Sequence, residues 1–387
     1  MRNDREASVN FSRGRVMYLI TNRALISDKK GKLLSGLDAF GKNPNPEGPN
    51  ELRLMQVTRK ANGDWATRAV NDRLTRAQVK KLDEEFSLGI DITQPWPGSL
   101  QVACELFRQA SVQNKSILFF VHGYNNDVED VVKAALEIES LYGVIVVPFT
   151  WPANGGGKIS GTASYLSDKA DARVSAGALN RAVGKIQQLH LMLTEGRKKL
   201  LFARAQKKFP DNGQHAQSYF VKLVEKDCDV TLNLLCHSMG NYVFKNTLKS
   251  GSNETSKLVF DNICLVAADT NNQNHADWVG KLDVRKRVNI VINENDAALK
   301  VSRIKPGDEQ LARLGHYTRQ LNSPNAHYID VTDAEHVGSE HTYFKGEATA
   351  NESLKFLFGE MFNGRAVEQY LKYHADNNSY KLNASGF

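Results

Sequence analysis

The chain has 387 residues, of which 41% are hydrophobic, and its 50 basic and 43 acidic residues give a formal net charge of +7. This mild basic excess gives no reason to expect a nucleic-acid partner. No apolar stretch reaches the length of a membrane span, and the charged start lacks the apolar core of a signal peptide. Cys104, Cys228, Cys236 and Cys264 form no CxxC pair, so we expect reduced thiols in a cytoplasmic protein.

Apolar runs of strand length are separated by segments with helical spacing. The first strands are predicted at 15–22 and 50–59, followed by helices at 75–86 and 99–113. Buried strands then follow at 116–123, 144–152, 229–238, 262–270, 288–296 and 327–332. Helices are predicted between and after them at 128–143, 241–250 and 351–362. This order predicts an α/β fold whose mostly parallel sheet carries helices on both faces, with the first two strands as candidates for an antiparallel edge.

The segment 153–228 is too long for a plain loop. Its glycine run 155–157 is followed by helical periodicity, which predicts a helical cap inserted within a single domain of residues 1–387. The glycine run is a candidate gate, and Trp151 at the root of the segment is predicted either to line a pocket or to belong to the core. The basic run 197–209 favours a solvated helix face, with a weak contact to an anionic surface as the alternative.

The motif "LLCHSMGNYVF" (234–244) places Ser238 between a buried strand and a helix. A nucleophile elbow has a sharp strand-to-helix turn there, with small residues two places to either side of the serine. Cys236 and Gly240 are those small residues, although glycine is usual at the first position. The alternative interpretation is a serine that caps the helix N-terminus.

A second motif, "FFVHGYNN", places a His-Gly pair directly after another buried strand. In acyl-transfer enzymes, a backbone amide at this place and the amide after the nucleophile form an oxyanion hole. The candidate donors are the amides of Tyr124 and Met239, whereas His122 is predicted to be a structural hydrogen-bonding residue.

A serine nucleophile needs a base that an acid holds in place. Asp296 and Asp269 both end predicted strands beyond Ser238, and both are candidate acids. His336 and His341 follow the last predicted strand, and both are candidate bases.

The motifs "FFVHGYNND", "VVPFTWPANG", "YLSDKADARVS", "LLCHSMGNYVF", "NENDAAL" and "EHTYF" together resemble the α/β-hydrolase superfamily, over roughly residues 15–345. The closest resemblance is to its bacterial branch of uncharacterised serine hydrolases, a domain of unknown function. The resemblance implies the α/β-hydrolase fold, with Ser238 as the nucleophile, Asp296 as the acid and His341 as the base. A small residue such as alanine is common in that branch at the place of Cys236.

We therefore expect a serine hydrolase that cleaves an ester, thioester or amide acyl bond of a small-molecule or lipid-like substrate. No cofactor and no metal are expected. "GGGKIS" lacks the first glycine and the final Ser or Thr of a phosphate-binding loop, and "HVGSEH" lacks the spacing of zinc motifs. The alternative is a non-catalytic interaction protein on the same fold, which would have no need of all three triad residues.

Overall fold

The computed structural model describes residues 16–153, 162–226, 230–249, 256–303, 311–384 and 386. Cys228 and the proposed gate at 155–157 lie outside these residues. The strands are β1 Val16–Thr21, β2 Arg23–Leu25, β3 Phe40–Pro44, β4 Arg53–Arg59, β5 Trp65–Ala69, β6 Ile117–Val121, β7 Ile145–Thr150, β8 Leu232–His237, β9 Ser256–Lys257, β10 Asn262–Val266, β11 Leu282–Asp283, β12 Arg287–Ile292, β13 Ala326–Asp330, β14 Lys372–His374 and β15 Ser379–Lys381. The helices are α1 Arg76–Phe86, α2 Gly98–Gln113, α3 Val128–Tyr142, α4 Thr162–Val174, α5 Ala176–Lys208, α6 Gly213–Lys226, α7 Gly240–Lys249, α8 Ala276–Val279, α9 Ala297–Ser302 and α10 Glu352–Phe362.

One large sheet organises the fold, in the strand order β14-β15-β13-β12-β10-β8-β6-β7-β1-β4-β5. From β15 through β1, every neighbouring pair is parallel. β14 at one edge and β4 and β5 at the other are antiparallel to their neighbours. This confirms the predicted α/β class. The antiparallel edge consists of β4 and β5, whereas β1 runs parallel to β7.

Helices bury both faces of the central strands. In β6, Leu118 and Phe120 belong to the apolar cluster that α3 and α10 cover. Phe119 and Val121, which point the other way, belong to the cluster that α5 and α7 cover. Burial on both faces explains why these strands are continuous apolar runs rather than alternating ones.

The predicted excursion forms α4, α5 and α6. α5 has 33 residues, which makes it about 50 Å long at 1.5 Å per residue. Its first turns pack on the sheet, where Leu179 belongs to the same cluster as Phe119. Further along, Leu193 packs with Phe86 of α1, and the basic run 197–209 follows beside α6. Neither α5 nor any other helix in the described residues is both long and apolar enough to cross a membrane.

Candidate active site

Ser238 occupies the turn between β8 and α7. Its φ of +51° lies in the left-handed region that a non-glycine residue rarely adopts. Gly240 permits the turn, because a Cβ there would lie 2.5 Å from the carbonyl oxygen of Val121. The backbone at Gly123 packs directly against the serine, because a Cβ at Gly123 would lie 2.8 Å from the Cβ of Ser238. A strained serine on a tight strand-to-helix turn is the geometry that a nucleophile elbow requires.

The Ser238 hydroxyl does not cap α7. In the described part of the chain, no amide of the first turn donates a hydrogen bond to it. The side-chain amide of Asn241 instead donates to the carbonyl oxygens of Cys236 and Ser238, at 3.0 and 3.1 Å. Burial raises the pKa of the Cys236 thiol well above its usual range. Cys236 therefore stays a protonated core thiol, and the turn presents the serine.

His341 and Asp296 are in direct contact. His341 Nδ1 lies 2.7 Å from Asp296 Oδ2, and the Asp296 side chain is fully buried. The other carboxylate oxygen, Oδ1, accepts the backbone amide of Leu299 at 2.9 Å and so caps the N-terminus of α9. Because a carboxylate only accepts hydrogen bonds, His341 Nδ1 carries a proton. The contact leaves Nε2 as the nitrogen available for acid–base work.

Ser238 and His341 line the same cavity, which has a volume of about 480 Å³. Apolar side chains supply much of its wall, among them Phe120, Leu299 and Phe344. A volume of this size falls within the range of about 300–1,000 Å³ that ligand pockets occupy.

The rival acid and base are placed differently. Asp269 also lines the cavity, but Arg313 Nε lies 3.1 Å from its Oδ1, and both side chains are buried. Its Oδ1 also accepts the hydroxyl of Ser302 at 2.7 Å, and its Oδ2 accepts that of Tyr165 at 3.0 Å. His336 is exposed and is not among the residues that line the cavity. The structure thus brings Asp296 and His341 together and gives Asp269 a different set of partners.

The two candidate oxyanion donors belong to residues near Ser238 in the cavity or in the chain. Tyr124 lines the cavity. Met239 directly follows the serine, and no group in the described part of the chain accepts a hydrogen bond from its amide. The loop from Gly123 ends at Asp127, whose side chain and Asp130 form a capping box that starts α3.

His122 is a buried structural residue, and Trp151 belongs to the core rather than to the cavity wall. The two rings stack with centroids 5.3 Å apart. The Trp151 backbone amide donates to His122 Nε2 at 3.2 Å, so Nδ1 carries the proton that reaches the Gly123 carbonyl oxygen at 2.9 Å. Burial, and then the charge of Arg23, lowers the pKa of His122 to about 3.

His237 also lines the cavity, although the elbow motif requires no particular side chain at this position. Its Nε2 lies 3.1 Å from the backbone carbonyl oxygen of His341, and the two imidazole rings have centroids 4.8 Å apart. Burial, and then the charge on His341, lowers the pKa of His237 well below its usual range. A neutral His237 therefore donates to the main chain of His341 and fixes that loop beside the serine. Sequence spacing carries no signal for this contact, because it joins segments 104 residues apart.

A larger cavity of about 850 Å³ lies between α2, α5 and the sheet. It shares no lining residue with the Ser238 cavity, and its walls are mostly apolar. Among the described residues, no group of three or more His, Cys, Asp or Glu side chains is placed to hold a metal ion. The candidate nucleophile Ser238 and the candidate base His341 line the smaller cavity and not the larger one.

Comparison with known proteins identifies the family. Residues 102–193 and 211–359 match the family described as alpha/beta hydrolases of unknown function (DUF900), and these ranges make up more than half of the chain. No curated protein and no solved structure matches it. The match confirms the resemblance and the fold class predicted from the motifs. The chain therefore belongs to the alpha/beta-hydrolase family of unknown function DUF900.

Proposed function

We propose that the chain is a serine hydrolase that cleaves an ester, thioester or amide acyl bond, with carboxylic esters as the preferred class. The observation that carries the proposal is the 2.7 Å contact between His341 Nδ1 and the buried carboxylate of Asp296. His341 shares a cavity with Ser238, whose backbone is held in the strained conformation of an elbow.

In the proposed reaction, Ser238 Oγ attacks the acyl carbonyl carbon while His341 Nε2 takes its proton. Asp296 holds the imidazole in the tautomer with Nδ1 protonated and stabilises the imidazolium that forms. The tetrahedral oxyanion accepts hydrogen bonds from the amides of Tyr124 and Met239. Collapse expels the leaving group, which takes the proton from His341. Water then attacks the acyl-enzyme with His341 as the base, and Ser238 is regenerated.

The apolar wall of the cavity favours a substrate with an apolar acyl group. Phe120, Leu299 and Phe344 line the cavity together with the serine, and Asp269, Ser302 and Tyr165 form a polar corner of it. The Asp269 charge is balanced by Arg313, so this corner is suited to a neutral polar leaving group rather than to an ion. We propose small-molecule or lipid-like acyl esters as the substrates.

The test is to label the purified protein with a fluorophosphonate probe and to identify the modified peptide by mass spectrometry. We expect labelling at Ser238, which Ser238→Ala should abolish without a large change in melting temperature. The matched control is Ser116→Ala, which removes another buried hydroxyl just before the amino end of β6, whereas Ser238 follows the carboxyl end of β8. It should label at the wild-type rate.

A panel of p-nitrophenyl esters of increasing acyl length then measures kcat/KM. Hydrolysis that is lost in Ser238→Ala and retained in Ser116→Ala is the expected result. A wild-type protein that neither labels nor hydrolyses any ester, amide or thioester would favour the alternative, an interaction protein on a hydrolase fold.

A further inference from the structure

Arg23, at the start of β2, is a charged side chain that the fold buries almost completely. Its Nε donates to the Thr150 hydroxyl at 3.0 Å, and its Nη1 lies 3.4 Å from the Gly41 carbonyl oxygen. Its Nη2 donates to the carbonyl oxygens of Asn126 and Ala153, at 3.0 and 3.3 Å. Every one of these acceptors is neutral.

The charge of this guanidinium persists in the interior. Burial lowers the pKa of Arg23 to about 10, and the carboxylates of Asp127, Asp168 and Asp171 raise it from beyond hydrogen-bond contact. The side chain is therefore protonated at neutral pH. A buried ion with neutral partners is a costly way to fill space, since well-packed apolar residues are often at least as stable in such places. Its position calls for a reason other than stability.

The four acceptors come from three stretches of the sequence, at 41, 126 and 150–153, that meet at the carboxyl end of the sheet. Gly41 lies in β3, Thr150 ends β7, and Ala153 lies where the chain leaves for α4. Asn126 lies in the loop of residues 122–126, which we call the oxyanion loop because it carries the Tyr124 amide. One planar fork therefore ties the oxyanion loop to two other segments, β3 and the stretch 150–153.

Side chains hold most of the carbonyl groups of the oxyanion loop. Trp151 Nε1 donates to the His122 oxygen at 3.0 Å, and His122 Nδ1 donates to the Gly123 oxygen at 2.9 Å. Asn126 Nδ2 donates to the Tyr124 oxygen at 2.6 Å, while Arg23 holds the backbone of Asn126 itself. Arg23 is thus bonded to the residue whose side chain holds the Tyr124 oxygen and also reaches the Gly123 oxygen, at 3.5 Å.

Fixing the carbonyl groups also fixes the amides. In a trans peptide, the C=O and the N–H of one planar unit point in opposite directions. The bond from His122 to the Gly123 oxygen therefore sets the direction of the Tyr124 N–H. Asn126 Nδ2 lies 3.5 Å from the same Gly123 oxygen, and Arg23 holds the backbone from which that side chain extends.

We propose that Arg23 is a positioning residue that anchors the oxyanion loop through the Asn126 carbonyl group and so aims the Tyr124 amide at the oxyanion. This role rests on the proposed function, since it serves the reaction only if Ser238 is the nucleophile. Arg23 lies outside the residues that match the family, so the family match does not assign it a role. Lysine cannot reproduce the role in full, because its single ammonium lacks the planar fork that serves several acceptors at once.

The experiment compares Arg23→Met and Arg23→Lys with a control of similar burial. Asn233→Ala is that control, because Asn233 is fully buried and donates to the Phe362 carbonyl oxygen near the amino end of β8, away from the cavity. Hydrogen exchange of peptides covering 117–130 reports on the loop, and the second-order rate of fluorophosphonate labelling reports on the oxyanion hole. Both are measured at a temperature where circular dichroism shows all variants folded.

We expect Arg23→Met to speed exchange in the oxyanion loop and to slow labelling by about 10²-fold, the scale for loss of one oxyanion donor. Arg23→Lys should fall between wild type and Arg23→Met, and Asn233→Ala should match wild type in both measurements. For ester hydrolysis, kcat should fall and KM should stay within about threefold, because the donor acts on the transition state.

Two results would overturn the proposal. Exchange in the loop that is unchanged in Arg23→Met would show that Arg23 does not anchor it. Faster exchange with an unchanged labelling rate would show that the loop is anchored but does not serve the oxyanion. If the wild-type protein is not labelled at Ser238, the proposed function fails, while the exchange measurement still decides whether Arg23 anchors the loop.

Discussion

Asp296→Asn tests the proposed triad most sharply, because the structure fixes the orientation that the new amide must take. Asp296 Oδ1 accepts the Leu299 amide at 2.9 Å, whereas Oδ2 faces His341 Nδ1 at 2.7 Å. Only the oxygen of the asparagine side chain can accept from Leu299, so its NH₂ group must face His341. His341 Nδ1 then has to accept a hydrogen bond, and the proton moves to Nε2, where it blocks removal of the serine proton.

The expected loss is on the order of 10⁴ in kcat, equivalent to about 5.4 kcal/mol at 1.36 kcal/mol per tenfold. Stability should change little, within about 0.5 kcal/mol, because asparagine caps a helix about as well as aspartate. The assay is ester hydrolysis with the best substrate of the acyl panel, together with urea unfolding of the same samples. A large kinetic loss at nearly constant stability is the expected outcome.

Asp269→Asn is the matched control, since Asp269 is the other buried carboxylate at the end of a strand beside Ser238. It removes the charge that balances Arg313, and both side chains are nearly inaccessible, at 4% and 3%. Breaking such a pair typically costs about 3–5 kcal/mol of stability. The predicted pattern is therefore the reverse of that for Asp296→Asn. The assignment of the acid is wrong if folded Asp269→Asn loses more kcat than Asp296→Asn.

Three further predictions concern the turn, the buried histidines and the inserted segment. Gly240→Ala should destabilise the fold strongly, because its Cβ would lie 2.5 Å from a β6 backbone oxygen. Gly184→Ala, whose Cβ would have no heavy atom within 4 Å, should instead stabilise the fold by up to about 1 kcal/mol. Thermal unfolding of both variants checks this pair of predictions. Burial lowers the pKa of His122 to about 3 and that of His237 well below its usual range, so below about pH 6.5 only the unfolded chain binds these protons. The unfolding free energy should then fall between pH 7 and pH 5, by up to about 2 kcal/mol per histidine, and equal urea midpoints at the two pH values would contradict this. Tyr165→Ala should shift the kcat/KM preference towards esters with larger alcohol groups, because Tyr165 is the described residue of the 153–228 segment that lines the cavity and it belongs to the corner proposed for the leaving group; an unchanged preference would count against a role of α4 in selection.

The parallel sheet and the elbow were predictable because their signals are local. Each central strand is a run of apolar residues buried on both faces, and its period and length are visible in a short window. The elbow needs small residues at fixed distances from Ser238, and the reason is a clash between neighbouring backbones, as Gly240 shows. Local signals of this kind do not depend on the rest of the fold.

The edge strands and the course of α5 were not predictable from such windows. β14 and β15 are three residues each and contain lysine, histidine and serine, which mark no buried face. The helical period of α5 predicted a helix, but period alone does not say which surface the helix covers. Leu179 packs on the sheet and Leu193 packs on α1, and neither contact is specified by the helical period. Whether the segment acts as a cap stays a prediction, with Tyr165 as its described contact with the cavity.

The strand pattern alone does not decide which of the two aspartates is the acid. Asp269 and Asp296 each follow a buried strand, and strand position alone gives them equal standing. They differ in the structure because Arg313 reaches Asp269 from 44 residues further along the chain, and His341 reaches Asp296 from 45 residues away. Neither distance has a sequence signature. The resemblance to a family favoured Asp296, and the contacts give the physical reason.

Burial of the central strands on both faces explains why this fold can keep two energetically unfavourable features beside the candidate site. A serine at φ +51° carries strain on the order of 1–3 kcal/mol, and a buried Arg23 carries a desolvation cost. Both lie at the carboxyl end of a sheet whose strands are packed on both faces, so relaxing either one would require moving a strand end within the core. Because Ser238, the oxyanion loop and Asp296 follow three different strands, their separations are set by the strand spacing rather than by flexible loops. The rigidity of the sheet is thus the property that allows a strained nucleophile and a buried cation to persist, and variants that loosen the sheet should weaken the site before they unfold the chain.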